Sequence, residues 1–365
     1  MAFNLFYMFA KILRMIKNIT FILVAFFVTT VSFSQNKAKQ YNIRTIAFYN
    51  VENLFDTIND TSINDEASPM MELKTDRSKV YWDKIDKLGS VIAQIGLEDA
   101  KTSPAIIGVS EVENLSVLED LVKSKHLAEK NYGIIHYDSP DKRGIDVALL
   151  YQKRYFKPIY HEAFNPNIYN DEGKKVYTRD QLLVSGYLDD ELIHIIVNHW
   201  PSKGGGTKTI RFREKAAYKN TQIIAQIREK QPNAKIISMG DFNDDPIEPS
   251  FKDVLKTKSD KSELNEKDIY NPYEDMFRRG FNTGAYRDNI SMFDQILLTA
   301  PLIDKGSKDF SNYKMYKAMI FNKRFITQKK GQFRGYPLRS FGFGGYTGGY
   351  SDHFPVYVYL IKEKK

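Results

Sequence analysis

The chain contains no cysteine among its 365 residues. That absence excludes a disulfide framework, a thiolate metal site and a cysteine nucleophile, so any bound metal must rest on oxygen or imidazole ligands. The only long hydrophobic run, Phe21–Val31, is short for a membrane span. No internal repeat appears, and no stretch rich in proline or serine marks a domain boundary. Hydrophobic residues make up 42% and charged residues 27%. These values are ordinary for a globular chain and argue against a disordered, collagen-like or polytopic membrane protein.

Residues 1–34 carry Lys11, Arg14 and Lys17, no acids, then the apolar run and the small residues Ser32 and Ser34. This is the pattern of a secretory signal peptide cut near Ser34/Gln35. Met15 is an alternative start, and an uncleaved anchor is the alternative fate. With cleavage the net charge falls from +8 to +5, because three cations leave. A mildly basic mature chain favours an anionic partner. The expected protein is secreted or periplasmic, a monomer without a stable membrane span.

Short runs rich in β-branched and aliphatic residues predict strands over 43–51, 105–112, 146–151, 181–188, 192–199, 235–242, 293–298 and 355–360. Apolar residues at three-and-four spacing predict helices over 84–95 and 211–230. This order suggests α/β or α+β with large sheets. Residues 56–80 and 250–290 read as long loops. Segment 301–340 holds ten Lys/Arg against two Asp, interleaved with Phe310, Tyr313, Tyr316, Phe321, Phe325, Phe333 and Tyr336. Two readings stand: a nucleic-acid surface of cations and stacking rings, or a solvated sheet edge whose rings face the core.

The chemistry lies where polar residues end the predicted strands, a choice no core would make. Alternation puts Asn50 and Glu52 on one face. The run 106–110 leads into Glu111, Glu113 and Asn114; 193–197 leads into Asn198, His199 and Trp200; 238–240 leads into Asp241 and Asn243. Phe293-Asp294-Gln295 and Ser351-Asp352-His353-Phe354 complete the set. Each motif alone fits a turn or a solvated strand end. Together, carboxylates, amides and imidazoles at strand ends suit one or two hard divalent ions and a water aimed at phosphorus.

The motifs Asn-Val-Glu-Asn-Leu (50–54), Ser-Glu-Val-Glu-Asn (110–114), Arg-Gly-Ile-Asp-Val-Ala-Leu-Leu-Tyr (143–151), Asn-His-Trp-Pro-Ser (198–202), Gly-Asp-Phe-Asn (240–243), Phe-Asp-Gln-Ile (293–296) and Ser-Asp-His-Phe-Pro-Val (351–356) occur in one order along the chain. In that order the chain resembles the endonuclease/exonuclease/phosphatase superfamily, DNase I-like, as a secreted bacterial-type member. The resemblance implies a four-layer α/β sandwich, with two mixed β-sheets face to face and helices outside. It implies one domain over 35–365, against the prior from length alone. It implies Mg²⁺, with Mn²⁺ as the alternative, held by Glu111 with Glu52, Asn50 and Asp352 on the metal side. Asp241 then orients or deprotonates the water and Asn243 steadies phosphoryl oxygens. His199 and His353 flank the phosphate, with Asp294 orienting His353. Arg179 of Thr178-Arg179-Asp180 stands near phosphate, and Asn198 and Trp200 lie on the substrate side. The DNase I branch of the family pairs the equivalent of His199 with a glutamate; the corresponding stretch here offers Asp138.

The implied activity is metal-dependent phosphodiester hydrolysis, with nucleic acid, DNA ahead of RNA, as the expected substrate. A lipid or inositol phosphate phosphodiesterase is the alternative, and a catalytically silent binding protein is a third reading. In the glycine-rich loop 341–350, Tyr346 or Tyr350 either stacks on a base or belongs to an ordinary connection.

Overall fold

A computed structural model describes residues 2–31, 39–286 and 289–364. Helix α1 (Ala2–Val31) forms a unit of its own. No helix among the described residues is long and apolar enough to cross a membrane. The expected cleavage point at Ser34/Gln35 lies outside the described residues.

The second unit, Tyr41–Glu363, holds the remaining elements. Its first strands are β1 (Tyr41–Leu54), β2 (Ile106–Val112), β3 (Tyr132–His136) and β4 (Asp146–Gln152). They join β13 (Lys314–Ile320) and β16 (Val356–Glu363) in one six-stranded sheet of order β13-β16-β1-β2-β4-β3. The second sheet runs β5-β6-β7-β8-β12-β9. Its strands are β5 (Phe156–Phe164), β6 (Gln181–Leu188), β7 (Glu191–His199), β8 (Ile236–Asp241), β9 (Ile269–Tyr270) and β12 (Asp294–Thr299). Each sheet contains one parallel pair, β1 with β2 and β7 with β8, among antiparallel neighbours. Two small hairpins, β10 (Gly284–Tyr286) with β11 (Asn289–Ser291) and β14 (Phe341–Gly342) with β15 (Gly345–Tyr346), complete the strands.

Alternation along the strands makes the layers. Ile46 and Phe48 of β1 meet Ile195, Val197, Ile237, Met239 and Ile296 in the core between the sheets. Ala47, Tyr49 and Val51 face the other way, onto helices α2 (Arg77–Ile92) and α4 (Leu115–Lys123). Ile196, Ile236 and Leu297 face α5 (Ile210–Lys230). The result is the expected four-layer sandwich. Gly108 allows the sheets to approach: a Cβ there would stand 3.0 Å from Val197 Cγ1 and 3.2 Å from the Met239 side chain. Two short helices, α3 (Leu97–Ala100) and α6 (Pro272–Arg278), sit in connections.

All eight predicted strands form, while β3, β5, β13 and α4 lie in stretches where no element is predicted. Residues 250–290 are not a long loop, since they contain a π-helical turn at Ser250–Val254, β9, α6 and β10. Segment 301–340 supplies an edge strand, β13. Tyr313 and Phe321 are buried, and Phe325 packs against the helical-side core. Lys317 pairs with Asp99, Lys323 with Glu98, and Lys314 donates to the Pro301 carbonyl. The sheet-edge reading therefore accounts for most of this segment, although Tyr316 and Phe333 remain exposed.

Candidate functional site

Four inward-facing rows run to one end of the sandwich and finish in polar residues. They are Ile46-Phe48-Asn50, Ile195-Val197-His199, Ile237-Met239-Asp241 and, reversed, Leu298-Ile296-Asp294. The pleat that buries the core thus carries Asn50 from one sheet and His199, Asp241 and Asp294 from the other into a common space. Asn50 Nδ2 bridges the sheets, donating to Glu111 Oε1 at 3.2 Å and to Asp241 Oδ2 at 3.0 Å.

Glu111 reaches this space by breaking the pleat. Its φ of 62° is left-handed, a strained setting for a residue with a Cβ. Its Oε2 accepts from the Asn53 amide at 3.0 Å, which is itself presented by positive φ at Glu52 and Asn53. Glu111 and Asp241 carboxylate oxygens and a His199 ring nitrogen all lie within 4.8 Å of one another. A second such group joins Asp241, Asp294 and His353.

His353 hangs from the loop before β16, where its amide donates to Ser351 Oγ and Ser351 Oγ donates to the Asn50 carbonyl. Its Nδ1 lies 2.7 Å from Asp294 Oδ2, and its Nε2 faces Asp241 Oδ2 at 3.8 Å. Burial alone would lower the His353 pKa, but Asp294 and then Asp241 outweigh it and hold it well above the ordinary value. His199 goes the other way: burial, then Arg179 and Arg143, push it well below the ordinary value. The two imidazoles are therefore an acid and a neutral group at pH 7. Burial also pushes Asp241 up to about 6 despite the opposing charge of His353.

Asn243, at φ 50°, turns its amide to Asp241 Oδ1 at 2.9 Å and its Nδ2 to the Trp200 carbonyl at 3.0 Å. Asn50, Glu111, His199, Asp241, Asn243, Asp294 and His353 thus converge. Other expected residues do not. Glu52 leaves the face of Asn50 because its positive φ breaks the alternation. Its carboxylate instead accepts from the amides of Ser340 at 2.5 Å and Phe341 at 3.3 Å. Asp352 pairs with Arg339 Nη2 at 3.1 Å, while its Oδ1 lies 3.9 Å from His353 Nε2 at the edge of the site.

Asn198 and Trp200 alternate onto the face opposite His199 and are buried beneath α5. The Trp200 indole donates to Asn198 Oδ1 at 3.2 Å and packs on Phe242 and Phe251. Arg179 is buried too, between Asp141 Oδ2 at 2.9 Å and the Trp200 carbonyl at 2.5 Å. It supports Asn243 through that shared carbonyl rather than standing open to substrate. Asp138 is exposed and faces His136 at 3.9 Å, so it is not the partner of His199. Among the described residues His199 Nδ1 is buried without a hydrogen-bond partner. Tyr346 donates to Asp83 and Tyr350 packs edge-on against Phe325, which gives the glycine-rich loop a structural role.

Sequence reasoning missed Asp141, Arg143, Lys84 and Arg339. Lys84 had a visible signal, a lysine on the apolar stripe of α2 beside Ile85 and Leu88. Trp200→Ala is expected to destabilise the fold by about 3–5 kcal/mol as a lost aromatic core residue. Urea denaturation measures this, and an unchanged midpoint would return Trp200 to the substrate surface.

The donor set tests whether a divalent cation fits. Glu111 is partly open to solvent, while Asp241 and Asn50 are buried beside it. The two carboxylates are hard oxygen donors of the kind that Mg²⁺ and Mn²⁺ take, whereas Asn50, expected as a ligand, only positions them through Nδ2 because its Oδ1 accepts from the Glu52 amide at 2.9 Å. Residues 45–362 match the sequence profile of the Endonuclease/Exonuclease/phosphatase family. The chain belongs to this family. Among solved structures, a humanised TDP2 of D. rerio is similar, with a TM-score of 0.53 and 14% identity over 87% of this chain and 99% of that one. An endonuclease/exonuclease/phosphatase family protein from Bacteroides thetaiotaomicron gives 0.51 and 16% over 89% and 97%. D. rerio TDP2 complexed with single-strand DNA product gives 0.51 and 15% over 87% and 98%. At these identities the likeness is one of fold. No curated protein matches.

Proposed function

We propose that this chain is an exported, divalent-metal-dependent phosphodiesterase that hydrolyses nucleic-acid phosphodiester bonds, DNA ahead of RNA. The observation that carries the reading is the convergence of Glu111, Asn50 and Asp241 with the Asp294–His353 pair at one end of the sandwich. Glu111 and Asp241, positioned by Asn50 Nδ2, would hold Mg²⁺ or Mn²⁺. The bound ion supplies polarisation of a phosphoryl oxygen and neutralises charge developing there. Asp241, fixed by Asn50 and the Asn243 amide, orients and accepts a proton from the attacking water. His353, kept protonated by Asp294, donates to the departing oxygen. Asn243 and neutral His199 donate to phosphoryl oxygens. Export follows from the signal-peptide pattern of residues 1–34, and the mild positive charge of the mature chain suits a polyanion. The DNA product named for the TDP2 neighbour is compatible with that substrate.

One observation favours a second reading. Trp200 is buried, and Tyr346 and Tyr350 are held by Asp83 and Phe325 rather than offered to bases, which leaves Phe343 as the exposed ring of the glycine-rich loop. A phospholipid or inositol phosphate needs no such stacking. Plasmid DNA, RNA and sphingomyelin vesicles, each incubated with Mg²⁺, Mn²⁺ or EDTA, separate the readings. DNA cleavage abolished by EDTA is the expected result; cleavage of lipid alone would install the second reading.

The pH dependence follows from the raised carboxyl. Asp241 loses its proton only near pH 6, so kcat/KM is expected to fall on the acid side as it becomes protonated. The free-protein stability contribution of this group has the corresponding sign. It is fully present below the unfolded value of 3.8 and lost as pH rises through about 6. Added Mn²⁺ should therefore raise Tm more at pH 7.5 than at pH 5, as thermal unfolding would show. Equal shifts at both values would remove Asp241 from the ion's surroundings.

A further inference from the structure

Glu52 and Asp352, the two carboxylates expected on the metal side, are already matched by cations of the chain. Arg339 stands between them, its Nη2 3.1 Å from Asp352 Oδ2 and its Nε 3.5 Å from Glu52 Oε1. Both Glu52 oxygens are also occupied by backbone donors, the amides of Ser340 and Phe341. Beneath them lies Lys84, fully buried on α2. Its Nζ donates to the Val51 carbonyl at 2.9 Å and to Ser340 Oγ at 2.6 Å, so it braces the segment that carries Arg339 from below. Arg339 thus occupies the space between the two carboxylates, and Lys84 fixes the backbone segment that presents it. Glu111 and Asp241, by contrast, are bridged by Asn50 Nδ2, and with a His199 ring nitrogen they bring their ligand atoms within 4.8 Å of one another, the space of one ion.

Resting on the hydrolase reading above, we infer that the site takes a single divalent cation at Glu111 and Asp241, and that Arg339, braced by Lys84, fills with its guanidinium the place at Glu52 and Asp352 where a second cation would bind. The planar guanidinium remains charged at any working pH and is half exposed at the mouth beside His353. It brings fixed positive charge to that side of a phosphate without needing metal in solution.

Mn²⁺ binding to the full chain, counted by electron paramagnetic resonance of free Mn²⁺ and by calorimetry, tests this without an activity assay. Wild type should bind one ion, and Glu111→Gln should lose it. Asp352→Asn should leave affinity within about threefold, whereas removing a true ligand should weaken binding at least about tenfold. Arg339→Ala should gain a second, weaker ion, and Arg339→Ala with Asp352→Asn should lose it again. Two ions of similar affinity in wild type, or a tenfold loss in Asp352→Asn, would overturn the inference. No Mn²⁺ bound at all would instead defeat the hydrolase reading beneath it. Should Arg339→Ala fail to fold, the wild-type count and Asp352→Asn still decide.

Discussion

Asp241→Asn is expected to lower kcat on the order of 10²–10⁴-fold while leaving the unfolding midpoint unchanged or slightly raised. The amide keeps one oxygen for the Asn243 amide or for Asn50, so the bridge between the sheets survives in part. What disappears is the proton acceptor, and with it the negative charge beside His353 and the ion's ligands. Because that charge is buried and disfavoured in the free protein, its removal should not harm stability. KM for a phosphodiester should change little. A variant with near-wild-type kcat would remove Asp241 from the role of base.

Glu111→Gln is expected to have a comparably large effect by another route. Its carboxylate accepts from Asn53 and Asn50, both of which a glutamine can partly satisfy, so the strained backbone at residue 111 should persist. Lost is the hard anionic ligand, and the apparent metal affinity should drop at least about tenfold. High Mn²⁺ should therefore rescue Glu111→Gln in part and Asp241→Asn not at all. Identical responses of the two variants to metal concentration would contradict this division of labour.

The strands were legible because they are written as apolar runs whose inner rows continue into polar residues without a change of period, while the four-layer arrangement came from the family resemblance. Asn50, His199, Asp241 and Asp294 stood out as polar strand ends on that ground, and the resemblance supplied their roles. The failures have physical causes. Glu52 obeys the alternation in sequence, but the positive φ at Glu52 and Asn53, which lets the Asn53 amide reach Glu111, turns its side chain toward Ser340. Asn198 and Trp200 flank His199 in sequence and therefore take the opposite face, where they help seat α5. Arg179 was placed near phosphate, but it acts from behind, through the carbonyl that Asn243 also uses. Segment 301–340 left two readings open because Asp99 and Glu98, the partners of Lys317 and Lys323, lie far away in sequence.

Hydrolysis of bis(4-nitrophenyl) phosphate, a minimal phosphodiester, tests the central claim most directly, with wild type, Glu111→Gln and Asp241→Asn assayed in Mn²⁺ and again in excess EDTA. Turnover by wild type that EDTA abolishes and Mn²⁺ restores, and that both variants lack at the lowest Mn²⁺ concentration saturating wild type, is the predicted result. Turnover that survives EDTA, or that the two variants share with wild type, would contradict a metal-dependent phosphoester hydrolase built on these residues.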